Sequence, residues 1–160
     1  MRLVLLFYLF ATAVLANNLT DYSENKLLDH ILRGQEYSAT NPSNLYIGLF
    51  TTPCGDAGLG TEVLGGGYAR AGVTRDLYSW KSTQNVDDVL SSGTTGSISN
   101  TYPIQFPLAT ADWGVVSYWG LFDAYTSGNL ILCASLNTRR NIVVGTTPAF
   151  GVGALTIKID

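Results

Sequence analysis

The sequence predicts a mainly β protein: an antiparallel β-sandwich of about seven strands with one N-terminal α-helix. From residue 44 onward, apolar and polar residues alternate over short stretches that are separated by turn residues. Helical spacing of apolar residues is confined to residues 19–33. Because no helical period recurs between the strands, a sandwich or barrel is favoured over a parallel α/β sheet.

The size and charge of the chain fit one folded domain. A chain of 160 residues is long enough to bury a core of its own, and its 13% of charged residues is too low for a disordered tail. The net charge of −3 offers no basic surface to the phosphates of a nucleic acid, so nucleic-acid binding is disfavoured. We predict that residues 17–160 form a single sandwich domain.

Residues 1–16 differ from the rest in composition. Arg2 precedes an apolar run that ends at Leu15, and Val14 and Ala16 place small residues before a possible cleavage point. This is the form of a secretory signal, and it is short for a membrane span. Three interpretations stay open: a cleaved signal, an apolar arm that docks on a neighbouring subunit, and a start codon assigned too far upstream.

Residues 19–33 are predicted to form the helix. Thr20 or Ser23 can supply the N-cap oxygen, and Gly34 can end the helix as its C-cap. Four aliphatic residues share one face at helical spacing: Leu27, Leu28, Ile31 and Leu32. Since so short a helix is marginal alone, this face must pack on something else.

Seven stretches read as strands, each bounded by turn residues. They are 44–52, 65–80, 97–109, 115–124, 129–136, 140–145 and 154–160. Two of them form a hairpin in which Gly128 supplies the positive φ of the turn. The polar stretch 81–96 and the stretch 146–153 are predicted to be loops.

The strand predicted over 115–124 carries most of the large aromatic side chains. Strand alternation puts Trp119 and Leu121 on one face. The opposite row contains Val116, Tyr118, Gly120 and Phe122. Both rows are largely apolar, so we expect both to be covered, either by a second layer and the helix or by another chain. An exposed aromatic row would instead suit the stacking of sugars.

We predict no catalytic, cofactor or metal site. The single histidine, His30, lies on the helix without a nucleophile motif around it. Asp87 and Asp88 are adjacent in a polar loop and lack the alternating oxygen ligands of a calcium loop. Asp112 and Asp123 could in principle form a glycosidase pair. They are better interpreted as turn and cap residues.

Cys54 and Cys133 are the two cysteines of the chain. An exported protein could join them in a disulfide, but two cysteines are weak evidence for a pair. Cys133 follows an apolar run, where a free cysteine behaves as a small buried hydrophobe. The prediction is therefore two unpaired thiols.

The order of several motifs resembles a family of small tailed-bacteriophage virion proteins, usually described as phage tail fibre proteins. The motifs are LTDYSENKLLDHIL, NLYIGLFTT with GDAGLGTEV, GGGYAR, FPLATADWGVVSYWGLFDA, GNLILCASL and FGVGALTIKID. The resemblance implies a non-enzymatic structural protein that is assembled in several copies, and it assigns no catalytic residue. Residues 1–16 and a longer loop at 79–89 depart from the family pattern. A head-surface decoration protein would fit the same composition.

Two functions follow as hypotheses. The first is a phage structural protein of the virion, tail fibre-like or at the particle surface, that binds copies of itself and other virion proteins. Its candidate interface residues are Trp113, Tyr118, Trp119, Phe122, Leu27 and Ile31. The alternative is a secreted carbohydrate-binding sandwich module that uses the same aromatic side chains, and a host surface glycan is a possible partner in either case.

Overall fold

A computed structural model describes residues 5–9, 19–37, 42–55, 57 and 60–158. In this part of the chain, ten strands and one helix form a mainly β, sandwich-like fold, as predicted. The strands are β1 (Leu5–Leu9), β2 (Asn44–Phe50), β3 (Ala71–Thr74), β4 (Trp80–Lys81), β5 (Ser97–Asn100), β6 (Ile104–Gln105), β7 (Gly114–Phe122), β8 (Leu130–Ile142), β9 (Thr146–Phe150) and β10 (Thr156–Lys158), and helix α1 spans Asp21–Arg33. Within the same ranges, no helix has both the length and the apolar character needed to cross a membrane.

The largest sheet has the order β3-β2-β7-β8 and is antiparallel throughout. Its β7–β8 hairpin confirms the predicted one, and Gly128 in the turn has a φ of 73°. Strand β8 is longer than predicted, because it continues as far as Ile142 opposite Gly114. The prediction of a separate strand at 140–145 is therefore wrong.

A register shift in the β7–β8 ladder changes which side chains share a face. The shift lies between Val116 and Tyr118 and gives the strand an irregularity of the β-bulge type. Trp119 and Leu121 face the main core, and Tyr118 and Phe122 face the opposite side, as alternation predicts. Val116 belongs to the main core instead of the Tyr118 row, because the bulge reverses the alternation before it.

The remaining strands form two three-stranded sheets, β10-β5-β4 and β1-β9-β6. The strand predicted at 65–80 is interrupted, because Gly65, Gly66 and Gly67 all have positive φ and form a turn before β3. The strand predicted at 97–109 divides into β5 and β6, which belong to different sheets. The prolines in that stretch had indicated an irregular strand, and this is confirmed.

Strand β9 was predicted to be part of a loop, and this prediction is wrong. Thr146–Phe150 is the central strand of its sheet, parallel to β1 and antiparallel to β6. Pro148 lies in the middle of it, where the missing N–H normally argues against a strand. Its carbonyl oxygen still accepts a hydrogen bond from the Phe106 amide at 2.9 Å. All five side chains are buried, so tertiary packing outweighs the local preference.

Strand β1 comes from the apolar segment 1–16 and lies against the chain's own sheet. Its five residues pair with β9, and Leu9 is fully buried in the main core. The possible cleavage point at residues 14–16 lies outside the described residues. The division of the chain into 1–16 and 17–160 stays a prediction.

The main core lies between the sheets and is built from large side chains. Trp119, Phe106 and Phe150 are among the largest that are fully buried. The Trp119 and Phe150 rings meet edge to face, with centroids 6.3 Å apart, a favourable geometry for aromatic pairs. These contacts fix the four-stranded sheet against the β1-β9-β6 sheet.

A second, smaller cluster covers the other face of the four-stranded sheet. Phe50, Phe122, Leu130 and Cys133 are its buried members. Phe50 and Phe122 stack with ring planes 15° apart and centroids 6.0 Å apart. The strand partners Gly48 and Gly120 make room for these rings. A Cβ on Gly120 would meet Leu130 at 2.5 Å and Phe50 at 2.9 Å.

The two cysteines form a disulfide within this cluster, so the prediction of two unpaired thiols is wrong. Cys54 follows β2, and Cys133 lies on β8 as the partner of Gly120. The residues after β2 cross over β7, so the Cα atoms of Cys54 and Cys133 lie 6.2 Å apart across 79 residues of sequence. This long-range arrangement creates the proximity, and the spacing of the cysteines gives no sign of it.

Candidate functional site

Helix α1 is anchored to the sheet through its first turn. Thr20 is the N-cap, and its hydroxyl accepts a hydrogen bond from the Ser23 amide at 3.4 Å and donates one to the Leu130 carbonyl at 2.5 Å. The Ser23 hydroxyl and the Thr20 amide both donate to the Ile131 carbonyl, at 2.6 Å and 3.1 Å. These bonds tie the start of the helix to β8. Both predicted caps are confirmed, since Gly34 ends the helix with a φ of 65°.

Beyond its first turn, the helix leaves its apolar face open. Leu28, Ile31 and Leu32 are 55%, 67% and 74% exposed, and Leu27 is half-buried. Ser23 is the buried residue of the helix, so the apolar stripe is not what holds α1 to the domain. Three adjacent aliphatic side chains on one helix face form an apolar patch that water contacts. We call Leu27, Leu28, Ile31 and Leu32 the helix face.

The aromatic interface candidates lie mainly inside the single chain. Trp119 is fully buried, and Trp113 and Phe122 are each 6% exposed. The Trp113 indole N–H donates to the Gly66 carbonyl at 2.8 Å, which satisfies its one polar group. Tyr118 is half-buried beside the second cluster. The prediction of an interface therefore applies to exposed residues such as Ile31, where it stays a prediction.

An ion pair with full hydrogen bonding fixes the tip of the β7–β8 hairpin. The Arg70 guanidinium binds both carboxylate oxygens of Glu62 at 2.8 Å and donates to the Ala124 and Ser127 carbonyls at 2.8 Å and 2.7 Å. It also lies 3.3 Å from the centroid of the Phe122 ring. Its side chain is 9% exposed, so few water molecules compete for these bonds. We call this arrangement the Arg70 clamp.

Tyr68 is also part of the Arg70 clamp. Its hydroxyl donates to Glu62 at 2.8 Å and accepts from the Leu49 amide at 2.9 Å. Burial, and then the negative charge of Glu62, raise the pKa of Tyr68 above its usual value. The sequence predicts Arg70 within a long strand. In the structure a turn precedes β3, and this turn allows Arg70 to reach Glu62. Sequence reasoning missed the clamp, since Arg70 lies 54 and 57 residues from the two carbonyls that it holds.

Asp112 and Asp123, the two carboxylates that could have formed a catalytic pair, accept backbone hydrogen bonds in turns instead. Asp123 accepts hydrogen bonds from the Asn129 amide at 2.7 Å, and Asp112 accepts one from the Val144 amide at 2.8 Å. His30 donates to the Gln35 carbonyl at the exposed end of the helix, at 2.8 Å. Within the described ranges, no three His, Cys, Asp or Glu side chains are grouped so that they could hold a metal ion.

One concave surface beside the core is largely apolar. A groove of about 490 Å³ lies between the four-stranded sheet and the β10-β5-β4 sheet. Leu45, Trp80, Ile98, Leu121 and Ile157 are among its lining residues. Arg75 and Asp76 also line it, and Trp119 does not. The groove has the character of a packing surface, with no convergent set of acids or bases.

The domain is mainly β, and its site residues Asp112, Asp123 and Arg70 hold turns in place, which is the character of a structural domain. Comparison with known families makes this specific. Residues 18–158 match the model of the family Podophage GP4 fiber I protein gp80, and the chain belongs to that family. No curated protein matches the chain.

Membership of a phage fibre family confirms the resemblance drawn from the motifs. It supports a phage structural role and a place in the virion, beside other virion proteins. The alternative of a sugar-binding module stays a prediction; the Trp119 ring that it would use is fully buried, and Tyr118 is half-buried.

Proposed function

We propose that this chain is a non-enzymatic fibre component of a phage virion that associates with copies of itself through the helix face. The same exposed apolar side chains are available to other virion proteins. Family membership supports the fibre role. The exposure of Leu28, Ile31 and Leu32 supports the contact surface and is the single observation that carries this proposal.

The geometry of the helix supports assembly in preference to a purely intramolecular role. A helix of 13 residues is marginal in water unless tertiary packing supports it. In this chain the contacts with the sheet are concentrated in the first turn, where Thr20 and Ser23 bond to β8 and Tyr22 interacts with Asp123. The aliphatic stripe therefore contributes little to the fold of one copy, and a partner would explain its presence.

Covering the helix face would contribute a favourable free energy to association. Full burial of a Leu or Ile side chain stabilises by about 1.5–3 kcal/mol. Three side chains that are more than half exposed could together contribute several kcal/mol to an interface. The Asp29–Arg33 ion pair, with a 2.8 Å contact, sits on the same helix and would lie at the polar rim of such a contact.

The absence of catalysis is part of the proposal. It is supported by the roles of the carboxylates described above, which accept backbone hydrogen bonds in turns. A chain that acts by assembly needs stable surfaces, and the disulfide and the Arg70 clamp supply rigidity to the domain that presents them.

The test is the oligomeric state of the purified full chain. Sedimentation equilibrium or light scattering should find an oligomer in the wild type, and the double variant Leu28→Gln/Ile31→Gln should shift it toward the monomer. Val152→Gln is the matched control, because Val152 is an equally exposed aliphatic residue, at 61%, outside the helix. Its assembly should equal that of the wild type.

Two results would contradict the proposal. One is a wild-type chain that stays monomeric over the whole concentration range. The other is a Leu28→Gln/Ile31→Gln variant that assembles like the wild type while its circular dichroism spectrum remains unchanged.

A further inference from the structure

The edge of strand β9 is an acceptor for an apolar strand. All five residues of β9 are buried, and its pairing with β6 extends over only Ile104 and Gln105. The pairing with β1 extends over all five residues, from Leu5↔Thr146 to Leu9↔Phe150. Among the described residues, β1 therefore supplies the longer of the two ladders of β9. Without it, a row of backbone N–H and C=O groups of a buried strand would face water.

The occupant of this edge is chemically suited to it. The segment LLFYL is apolar throughout, and Leu9 reaches the main core without any exposed surface. A parallel partner for β9 must be extended and apolar, because the edge it covers is the border of that core. Segment 5–9 meets both requirements.

No turn or short connection dictates that β1 pairs with β9 of the same copy. The two strands are about 140 residues apart in sequence, and the segment is joined to α1 through residues 10–20. The same ladder forms whether the segment comes from its own copy or from another, so the intramolecular choice is favoured only by effective concentration. Residues 10–18 alone can span roughly 30 Å when extended.

We propose that copies of this chain exchange the segment Leu5–Leu9, so that β9 of one copy receives the strand of a second copy. This rests on the proposed function, because residues 10–20 connect the segment to α1, whose apolar face would bring two copies together. Contact through the helix face gives the neighbouring segment an effective concentration similar to that of the copy's own. The occupant is thus a second copy of this chain.

Cysteine cross-linking in mixed assemblies tests the exchange. One tagged chain carries Leu6→Cys and a differently tagged chain carries Thr147→Cys, since these residues are Cα partners in the ladder. After co-expression and mild oxidation, a covalent dimer of the two tags is expected in non-reducing electrophoresis and intact mass. Leu6→Cys with Thr95→Cys is the matched control, because Thr95 is exposed and lies outside β9, and no such dimer is expected.

A second pair guards against a substitution that disturbs folding. Tyr8 and Ala149 are also Cα partners, and Tyr8→Cys with Ala149→Cys should give the same dimer. The chain that carries both Leu6→Cys and Thr147→Cys reports the intramolecular pairing as a shift in mobility without a dimer.

The results separate this inference from the proposed function. A dimer of the two tags with both pairs supports exchange. Cross-linking only within the double variant overturns it, and if the oligomer persists in sedimentation, the helix-face proposal stands. No cross-link in either arrangement overturns the β9 acceptor itself. A chain that is monomeric in sedimentation refutes the proposed function and the exchange together.

Discussion

The β7–β8 hairpin and helix α1 are both rich in apolar side chains, but they differ in what covers them. The hairpin is closed on both faces: Trp119 is buried in the main core and Phe122 in the second cluster. The helix leaves Ile31 and Leu32 two-thirds or more exposed. The large side chains of the hairpin are therefore covered within the chain, whereas those of the helix face are exposed.

The difference follows from how each element is attached. The hairpin is held by ladders on both sides of β7, by the Cys54–Cys133 disulfide and by the Arg70 clamp. The helix is held at its first turn, by hydrogen bonds of Thr20 and Ser23 with β8 and by the interaction of Tyr22 with Asp123. An element fixed by polar contacts at one end can present an apolar face without losing its place in the fold.

Removal of Trp119 should have the largest effect on this comparison. Trp119→Ala leaves a large cavity in the main core, and we expect the free energy of unfolding to fall by about 3–5 kcal/mol. Urea unfolding followed by circular dichroism measures this. Trp119→Phe is the control: the indole N–H has no hydrogen-bond partner among the described residues, so keeping an aromatic ring should retain much of the stability. A loss below about 1 kcal/mol for Trp119→Ala would show that the hairpin is not packed as described.

Loss of the disulfide should have the next largest effect. Cys54→Ala/Cys133→Ala removes a link across 79 residues and should lower the free energy of unfolding by about 2–4 kcal/mol. Guanidinium unfolding with and without a reductant measures it. Reductant should destabilise the wild type and leave the double variant unaffected. Equal stability of the oxidised wild type and the double variant would mean that the disulfide does not stabilise the second cluster.

Tyr68 gives a pH-dependent test of the clamp. Its pKa is raised in the folded protein above the reference value of 10.0. Its contribution is therefore fully present below pH 10.0 and is lost as the pH rises beyond that value. At neutral pH, Tyr68→Phe should cost about 1–3 kcal/mol, because Glu62 and the Leu49 amide lose a partner.

Unfolding measured from pH 7 to pH 11 should show a steeper alkaline loss in the wild type than in Tyr68→Phe. Tyr22 and Tyr78 also have raised pKa values and leave a shallower slope in both proteins. Identical slopes would contradict the assignment of the alkaline loss to Tyr68.

The smallest effect is expected at the helix face. Ile31→Ala and Leu32→Ala remove side chains that are 67% and 74% exposed, so the stability of the dilute single chain should change by no more than about 0.5 kcal/mol. Thermal unfolding at low concentration measures this. A loss as large as that of the core variants would mean that the helix face is covered within one copy, and the contrast with the hairpin would disappear.

Periodicity was enough to predict the elements whose burial follows local pattern. The caps of α1, the hairpin with Gly128 and the two faces of Trp119 and Phe122 all agree with alternation and turn chemistry. Predictions failed where long-range packing outweighed local preference. Pro148 in a central strand is one case, and the bulge that moves Val116 into the core is another.

The candidate site divides in the same way. The apolar stripe of α1 can be predicted from the sequence, since Leu27, Leu28, Ile31 and Leu32 share a helical face. Whether it is covered depends on the neighbouring elements, and so does the burial of Trp113 and Trp119. The Arg70 clamp joins a turn before β3 to the tip of a distant hairpin, so no local pattern could reveal it.

A mainly β chain with one capped helix follows from local pattern alone, because side-chain alternation and capping chemistry act over a few residues. The strand order decided the rest. In the β2-β7-β8 order, the residues after β2 cross over β7 and join Cys54 to Cys133, and placing β9 between β1 and β6 makes a strand of a proline-containing stretch. The disulfide and the β1–β9 ladder join residues that are far apart in sequence, 79 residues for the disulfide and Leu5 with Thr146 for the ladder, so their free energy appears only when the sheets close around a common core.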